Sequence, residues 1–309
     1  MCGAPIGGTD RNEEGDMDNF MQRRNVLGLG AAAGAVLAAG AVLDPQKAAA
    51  QAASESVLRT VLDRGKLIVG TGSTNPPWHF EDDKGNLTGM DIAMGRILAK
   101  GLFDDDTKVE FVRQDPAARV PNVTTGKVDT VIQFMTISSS RAQLVAFSRP
   151  YYIEGSGLMV TPKSKYKTMK ELIAAGASVN AAILANVYAD DLVHKILPQA
   201  QVLQLDSQAN VFQAITAGRA DVALVDASTV KWLVKRNPDI YANPVEGDIP
   251  GQAQLYGAAV RQGDPDWLLF VNTCFDVAMY GHEDGIYDKA YEEFFGEKRP
   301  LRVTGFPPM

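Results

Sequence analysis

Two oppositely charged residues stand where a folded chain could present them to a small ligand. Arg141 follows the polar segment Thr136–Ser140 and begins a short predicted helix. Its guanidinium can donate two parallel hydrogen bonds, and the free N–H groups of a helix start add donors, so this segment is suited to an anion. Asp226 ends the apolar run Val222–Val225. Strands of α/β proteins present functional side chains at such ends, which makes Asp226 a candidate binding carboxylate.

Other kinds of chemistry find little support in the residue pattern. The three histidines lack the spacing of metal ligands. Ser138–Ser140 lacks the glycines of a nucleophile elbow, so hydrolysis is not indicated. Gly70–Gly72 has two of the three glycines of a dinucleotide motif, but Pro76–Pro77 blocks the helix that must follow. We therefore expect no metal and no cofactor.

Composition limits the class of protein further. The chain has 309 residues, of which 46% are hydrophobic and 22% charged, and its net charge is −7. An acidic balance argues against a nucleic-acid partner, which usually meets a basic surface. The hydrophobic fraction argues against a disordered chain. Two cysteines exclude a disulfide framework, and the length allows about two domains.

The first 52 residues have the pattern of an export signal. Arg23 and Arg24 precede the uncharged stretch Val26–Leu43, and small residues surround a candidate cleavage site after Ala52. The paired arginines resemble a twin-arginine leader, which exports folded proteins. We expect a periplasmic protein cleaved after Ala52. An uncleaved N-terminal anchor is the alternative.

Short apolar runs alternate with amphipathic stretches along the remaining chain. Strands that alternate with helices predict mostly parallel sheets covered on both faces, which is an α/β fold. The clearest predicted strands are Lys66–Gly70, Val109–Arg113, Val128–Ile132, Ser178–Leu184 and Val222–Val225. Leu255–Val260 is predicted as a single return strand.

Several segments resemble one family, the extracellular solute-binding proteins, family 3, of amino-acid ABC importers. The resemblance runs in order from about residue 57 to 295. It is carried by Gly70–Trp78, Gly85–Ile92, Thr136–Ala142, Phe147–Tyr152 and Ala217–Asp226.

The resemblance implies a periplasmic-binding-protein-like fold, in which two α/β lobes are joined by two crossover strands with the ligand cleft between them. Lobe I would comprise residues 53–155 plus 256–309, and lobe II residues 156–255. The crossovers would lie near Ser156–Thr161 and Gln252–Ala258.

The resemblance also assigns roles to residues that could hold an amino acid. It implies that Arg141 binds the ligand carboxylate, Asp226 binds its ammonium, and Thr136 adds a hydroxyl or backbone N–H. The alternatives are a surface role for Arg141 and an N-cap role for Asp226 on the helix near Thr229.

Six more residues are candidates for the cleft wall, with core packing or a surface position as the alternative. Arg119 resembles an arginine that binds acidic side chains, and Gly72 replaces an aspartate of basic-amino-acid binders. Asn186 stands where relatives have Gly-Ser/Thr-Thr. The six candidates are Trp78, Asn75, Arg119, Phe134, Met135 and Asn186.

These expectations combine into a periplasmic receptor. It would capture an amino acid, with a polar or acidic one preferred, and deliver it to an ABC permease in the inner membrane. We expect a monomer with no enzymatic activity. One alternative is a cyclohexadienyl dehydratase-like enzyme, with Glu81 or Glu154 as a candidate acid. Another is a ligand sensor for a membrane receptor.

Overall fold

The computed structural model describes residues 56–186, 188–245, 249, 253–281, 285–296 and 298–299. The predicted export signal and its cleavage after Ala52 lie outside these residues. Within the described ranges, no helix combines the length and hydrophobicity needed to cross a membrane.

The elements alternate as the sequence predicts. The described α-helices are α1 (Val57–Arg64), α2 (Met90–Phe103), α3 (Arg119–Thr124), α4 (Ser139–Ala142), α5 (Met169–Ala175), α6 (Ala189–Ile196), α7 (Gln208–Thr216), α8 (Ala227–Arg236), α9 (Pro265–Tyr280) and α10 (Gly285–Phe295). The strands are β1 (Leu67–Thr71), β2 (Thr74–Asn75), β3 (His79–Glu81), β4 (Leu87–Thr88), β5 (Val109–Arg113), β6 (Thr130–Val131), β7 (Ala146–Phe147), β8 (Tyr152–Glu154), β9 (Ser156–Met159), β10 (Asn180–Leu184), β11 (Gln201–Leu205), β12 (Val222–Asp226), β13 (Gln254–Tyr256) and β14 (Ala259–Val260).

The first sheet has the strand order β5-β1-β6-β14-β7. β1 runs parallel to β5 and β6, whereas β14 runs antiparallel to β6 and β7. Its largest core cluster contains the fully buried Trp267 and Phe275 of α9 and Met94 of α2. Because helices cover this sheet, β1 can be apolar along most of its length.

The second sheet has the order β11-β10-β12-β9. Its first three strands are parallel, and β9 pairs antiparallel with β12. Apolar side chains on α6 and α7 pack against opposite core clusters of this sheet, for example Val193 in one and Val211 in the other. The predicted α/β class is therefore confirmed.

Two neighbouring strands connect the sheets. β8 pairs antiparallel with β13, with Glu154 opposite Gln254. β8 leads directly into β9 of the second sheet, and β13 leads into β14 of the first. The first crossover therefore begins at Tyr152, before the predicted Ser156–Thr161. The residue boundaries of the two lobes stay a prediction.

Candidate functional site

A cavity of about 280 Å³, called the main cavity below, opens where the two sheets face each other. The segments after β6, β10 and β12 meet there, as expected for carboxyl ends of strands in α/β folds. The polar residues that line the main cavity include Arg119, Thr136, Arg141, Asn186, Asp226 and Gln254.

Arg141 reaches the main cavity from the short helix α4. The hydroxyl of Ser138 caps this helix and accepts the backbone N–H of Arg141 at 3.4 Å. The guanidinium donates from Nη1 to the carbonyl of Thr136 at 2.8 Å. Burial lowers the pKa of Arg141. No ion pair links it to a carboxylate in the part of the chain that the structure describes, so it presents a cation to the cavity.

Asp226 lies at the end of β12 on another wall of the main cavity. It occupies the N-cap position of α8, but its side chain makes no capping hydrogen bond. Instead Oδ1 accepts the hydroxyl of Tyr256 at 2.7 Å. Burial raises the pKa of Asp226 to about 6. The carboxylate is therefore directed toward the cavity and not toward its own helix.

Arg119 adds a second guanidinium to the same cavity. Its side chain is only 6% exposed, and it donates from Nε to the carbonyl of Pro116 at 2.9 Å and from Nη1 to that of Gln133 at 3.2 Å. Burial, and next the charge of Arg141, lower the pKa of Arg119 to about 9. The charged residues that line the main cavity are thus the cations Arg119, Arg141 and Lys195 and the carboxylates Asp191 and Asp226.

Three further predicted residues line the main cavity with different partners. Thr136 donates from Oγ1 to Gln254 Oε1 at 2.9 Å. Asn186 uses its amide locally, because Nδ2 donates to the carbonyl of Leu184 at 2.9 Å and Oδ1 accepts the N–H of Tyr188 at 2.9 Å. Phe134 also faces the cavity.

The remaining candidates do not reach this wall. Trp78 is fully buried; its Nε1–H donates to Ser228 Oγ at 3.1 Å, and its ring packs against Tyr152. Met135 packs in a core cluster of the first sheet. Asn75 is also buried but lines a neighbouring cavity. The alternative prediction of core packing fits Trp78 and Met135.

Comparison with known proteins identifies the family. A model of bacterial extracellular solute-binding proteins, family 3, matches residues 67–297. The chain belongs to this family. It is 30% identical over 249 residues to the L-cystine-binding protein TcyJ of Escherichia coli, covering 79% of this chain and 88% of that protein. It is also 30% identical over 203 residues to a glutamine-binding protein of Geobacillus stearothermophilus, covering 63% of this chain and 74% of that protein.

Solved structures show the same fold. One is an ancestral amino acid-binding protein that is a precursor of cyclohexadienyl dehydratase, with a TM-score of 0.66 at 31% identity. The match covers 78% of this chain and 100% of that chain. A cysteine-binding protein from Campylobacter jejuni has a TM-score of 0.67 at 26% identity, covering 77% of this chain and 92% of that chain. Two α/β lobes joined by crossover strands are therefore the fold of this family 3 protein.

Sequence reasoning missed several cavity residues of this solute-binding protein. Gln254 and Tyr256 reach the site from β13, and Ser156 reaches it from β9. Gln254 pairs with Glu154 of the opposite connector, and Ser156 with Asp226. Only the strand register places these side chains, and the sequence around them carries no motif that would have found them.

The two glutamates considered for enzymatic acid catalysis are not among the residues that line the main cavity. Glu81 forms an ion pair with Arg113 at 2.9 Å. Glu154 is buried and accepts the hydroxyl of Ser228 at 2.5 Å and the N–H of Gly155 at 2.7 Å. Burial, and next the charge of Asp226, raise the pKa of Glu154 to about 8. Both carboxylate oxygens of Glu154 therefore accept hydrogen bonds from neighbouring protein groups.

A side cavity of about 210 Å³ adjoins the main one, and Phe134, Leu184 and Gln208 line both. Gly72 lies on its wall. A Cβ at this position would lie 2.5 Å from Cδ2 of His79. The buried imidazole therefore fills the space that a side chain at residue 72 would need.

We expect Gly72→Ala to lower the free energy of unfolding by about 1–3 kcal/mol, because the added methyl group overlaps with His79. Urea unfolding of the purified protein measures the change. Gly285→Ala is the matched control, since a Cβ there meets no heavy atom within 4 Å. In a His79→Ala background the cost of Gly72→Ala should fall by at least about half. An equal cost in both backgrounds would contradict this account.

Proposed function

We propose that this protein captures an amino acid in the main cavity and delivers it to an ABC-type permease. The observation that carries the proposal is that Arg141 and Asp226 line one cavity without an ion pair between them. A zwitterion supplies the missing partner for each group. The names of the relatives, which bind glutamine and cystine, support a ligand of this class.

The physical reason is the cost of burying charge. A carboxylate or ammonium that leaves water must meet an opposite charge with good hydrogen-bond geometry. The planar guanidinium of Arg141 can bind both oxygens of the ligand carboxylate. Asp226 can accept hydrogen bonds from the ammonium at the opposite wall. Thr136 and Ser138 line the same region and supply hydroxyl groups.

The second guanidinium supports an acidic ligand. Arg119 is almost completely buried, and its hydrogen bonds go to two carbonyl groups, which leave its charge uncompensated. A ligand with a second carboxylate would compensate it. The side chain of a glutamate or aspartate bound at Arg141 would then extend toward Arg119.

Contacts across the cleft support a closing movement of the lobes. The hydroxyl groups of Ser140 and Tyr188 form a hydrogen bond, and Thr229 Oγ1 donates to the carbonyl of Pro76 at 3.0 Å. A ligand that touches both walls would favour such a closed form over an open one. We infer that the permease recognises the closed form of a monomer. We further infer export to the periplasm with cleavage after Ala52.

Titration calorimetry of the protein comprising residues 53–309 tests the proposed function. We expect one-to-one binding of L-glutamate or L-aspartate at about micromolar affinity or tighter, which corresponds to about −8 kcal/mol. Native mass spectrometry of protein purified without added ligand would identify an amino acid retained in the cleft. Absence of binding across the twenty amino acids would contradict the proposal.

Arg119→Gln should weaken L-glutamate binding by at least about tenfold and change L-glutamine binding by less than about threefold, because only the acidic side chain loses its counter-ion. Titration calorimetry of both ligands measures the two effects. Arg236→Gln is the control, since this exposed arginine stacks on Trp232 outside the cavity. Equal losses for the two ligands would reject the side-chain role of Arg119.

A further inference from the structure

Asp91 lies beneath the wall of the main cavity and joins three segments around it. Its side chain is completely buried in the first turn of α2. Oδ2 accepts the backbone N–H of Phe134 at 2.8 Å and lies 2.7 Å from Nδ1 of His79. Oδ1 accepts the hydroxyl of Tyr151 at 2.8 Å. Three donors therefore converge on one carboxylate that does not itself line either cavity.

His79 meets Asp91 as a neutral donor. Burial lowers the pKa of His79, so the neutral ring donates from Nδ1 to the carboxylate. Its ring also stacks on Phe134, with the two centroids 4.7 Å apart and 24° between the planes. Asp91 thus holds the backbone of Phe134 and also the imidazole of His79, against which the Phe134 ring stacks.

Phe134 needs such support because of its backbone conformation. Its φ is +36°, in the left-handed region that a bulky side chain rarely adopts. Residues in this region persist only where their surroundings hold them. The bond from the Phe134 N–H to Asp91 provides this restraint. The conformation directs the ring between the main cavity and the side cavity.

The same segment positions Arg119. The guanidinium carbon lies 5.6 Å from the centroid of the Phe134 ring, a distance at which a cation interacts with the aromatic face. Nη1 donates to the carbonyl of Gln133, the preceding residue, at 3.2 Å. A change in the Phe134 backbone would therefore shift both of these contacts to Arg119.

We propose that Asp91 is a positioning residue for ligand specificity: by holding the Phe134 backbone it places the Arg119 guanidinium, and so sets the discrimination between acidic and neutral ligand side chains. The inference rests on the proposed function, in which Arg119 binds the acidic side chain. A carboxylate is needed because an asparagine would turn one of the two oxygens into a donor. That NH₂ group would face the N–H donors of Phe134 and His79, or would have to use the Tyr151 hydroxyl as an acceptor, and in the second case the remaining oxygen would hold the Phe134 N–H without the negative charge.

Titration calorimetry of Asp91→Asn with L-glutamate and L-glutamine tests the inference. These two ligands share one shape and differ in the charge of the side chain. We expect glutamate affinity to fall by about tenfold or more, while glutamine affinity changes by less than about threefold. An unchanged ratio of glutamate to glutamine affinity, whether both affinities fall equally or neither falls, would overturn the inference and leave the proposed function standing. A wild-type protein that binds both ligands equally would reject the acidic preference itself, and the inference with it.

Asp129→Asn is the matched control. Asp129 is also a buried aspartate of the first lobe, and its Oδ2 accepts the backbone N–H of Ile68 at 2.7 Å and pairs with Arg64. It lines neither cavity. We expect this variant to lose stability without changing the ratio of glutamate to glutamine affinity. A change as large as that of Asp91→Asn would show that general destabilisation explains both.

His79→Phe provides a second variant that does not remove the carboxylate. It keeps an aromatic ring against Phe134 but removes the hydrogen bond to Asp91. We expect a loss of glutamate discrimination in the same direction and smaller than that of Asp91→Asn, with circular dichroism confirming the fold. If Asp91→Asn does not fold, an unchanged ratio in His79→Phe overturns the inference.

Discussion

Arg141→Ala should weaken L-glutamate binding by at least about thirtyfold, equivalent to about 2 kcal/mol, because the ligand carboxylate would be buried without its counter-ion. The loss should be similar for L-glutamine, since the carboxylate bound by Arg141 is common to both ligands. Titration calorimetry at neutral pH measures both constants. This shared loss distinguishes Arg141 from Arg119, whose effect should depend on the ligand side chain.

Arg149→Ala controls for the removal of an arginine from the same lobe. Arg149 is exposed and forms an ion pair with Asp276, outside the main cavity. Its replacement should leave both binding constants within about twofold. Unchanged glutamate binding by Arg141→Ala would remove Arg141 from the site and contradict the proposed position of the ligand.

Much of the fold could be predicted because the strands carry strong local patterns. β5 is observed at the predicted Val109–Arg113, and β1 is displaced by one residue from the predicted Lys66–Gly70. β1 is an apolar, largely buried run inside the first sheet, whereas β5 is an edge strand that was predicted from its alternating pattern. The division of the chain into two lobes was predicted from the family motifs, because hydrophobic periodicity does not indicate which strands share a lobe.

The return strand was predicted less well. Leu255–Val260 reads as one strand, but the chain forms β13 and β14 with a break at Gly257. A Cβ at Gly257 would lie 2.8 Å from Cδ1 of Ile137 and 3.2 Å from the carbonyl oxygen of Ser148. The break therefore depends on a close approach to segments more than a hundred residues away, which no local pattern reveals.

In the candidate site, too, residues with a local motif could be predicted, whereas contacts between residues far apart in the sequence could not. Arg141 and Asp226 were recognised by local position and motif, and the structure brings both to one cavity. Their roles toward a ligand stay predictions. The link from Asp91 to Phe134 spans 43 residues, and the burial of Trp78 depends on Ser228. Such contacts follow from the packing of lobes and are not encoded at either position alone.

Asp226→Asn should weaken binding of L-glutamate by at least about thirtyfold at pH 7, because the ammonium would lose its buried counter-charge. Calorimetry measures the affinity, and Asp221→Asn is the control. Asp221 begins the turn into the same strand, accepts the N–H of Asn180 at 2.9 Å and pairs with Lys165 at 3.4 Å. This structural aspartate should alter stability with little effect on binding.

The pH dependence of binding tests Asp226 independently of its replacement. Burial raises its pKa to about 6, and only the deprotonated form attracts an ammonium. Affinity should therefore fall as the pH drops from about 7 through 6, by up to about tenfold per pH unit. Burial raises the pKa of the nearby Glu154 further than that of Asp226, so Glu154 is the member of the pair that keeps its proton to higher pH. Asp226→Asn should abolish this fall, and a variant that keeps the wild-type pH profile would assign the ammonium to another group.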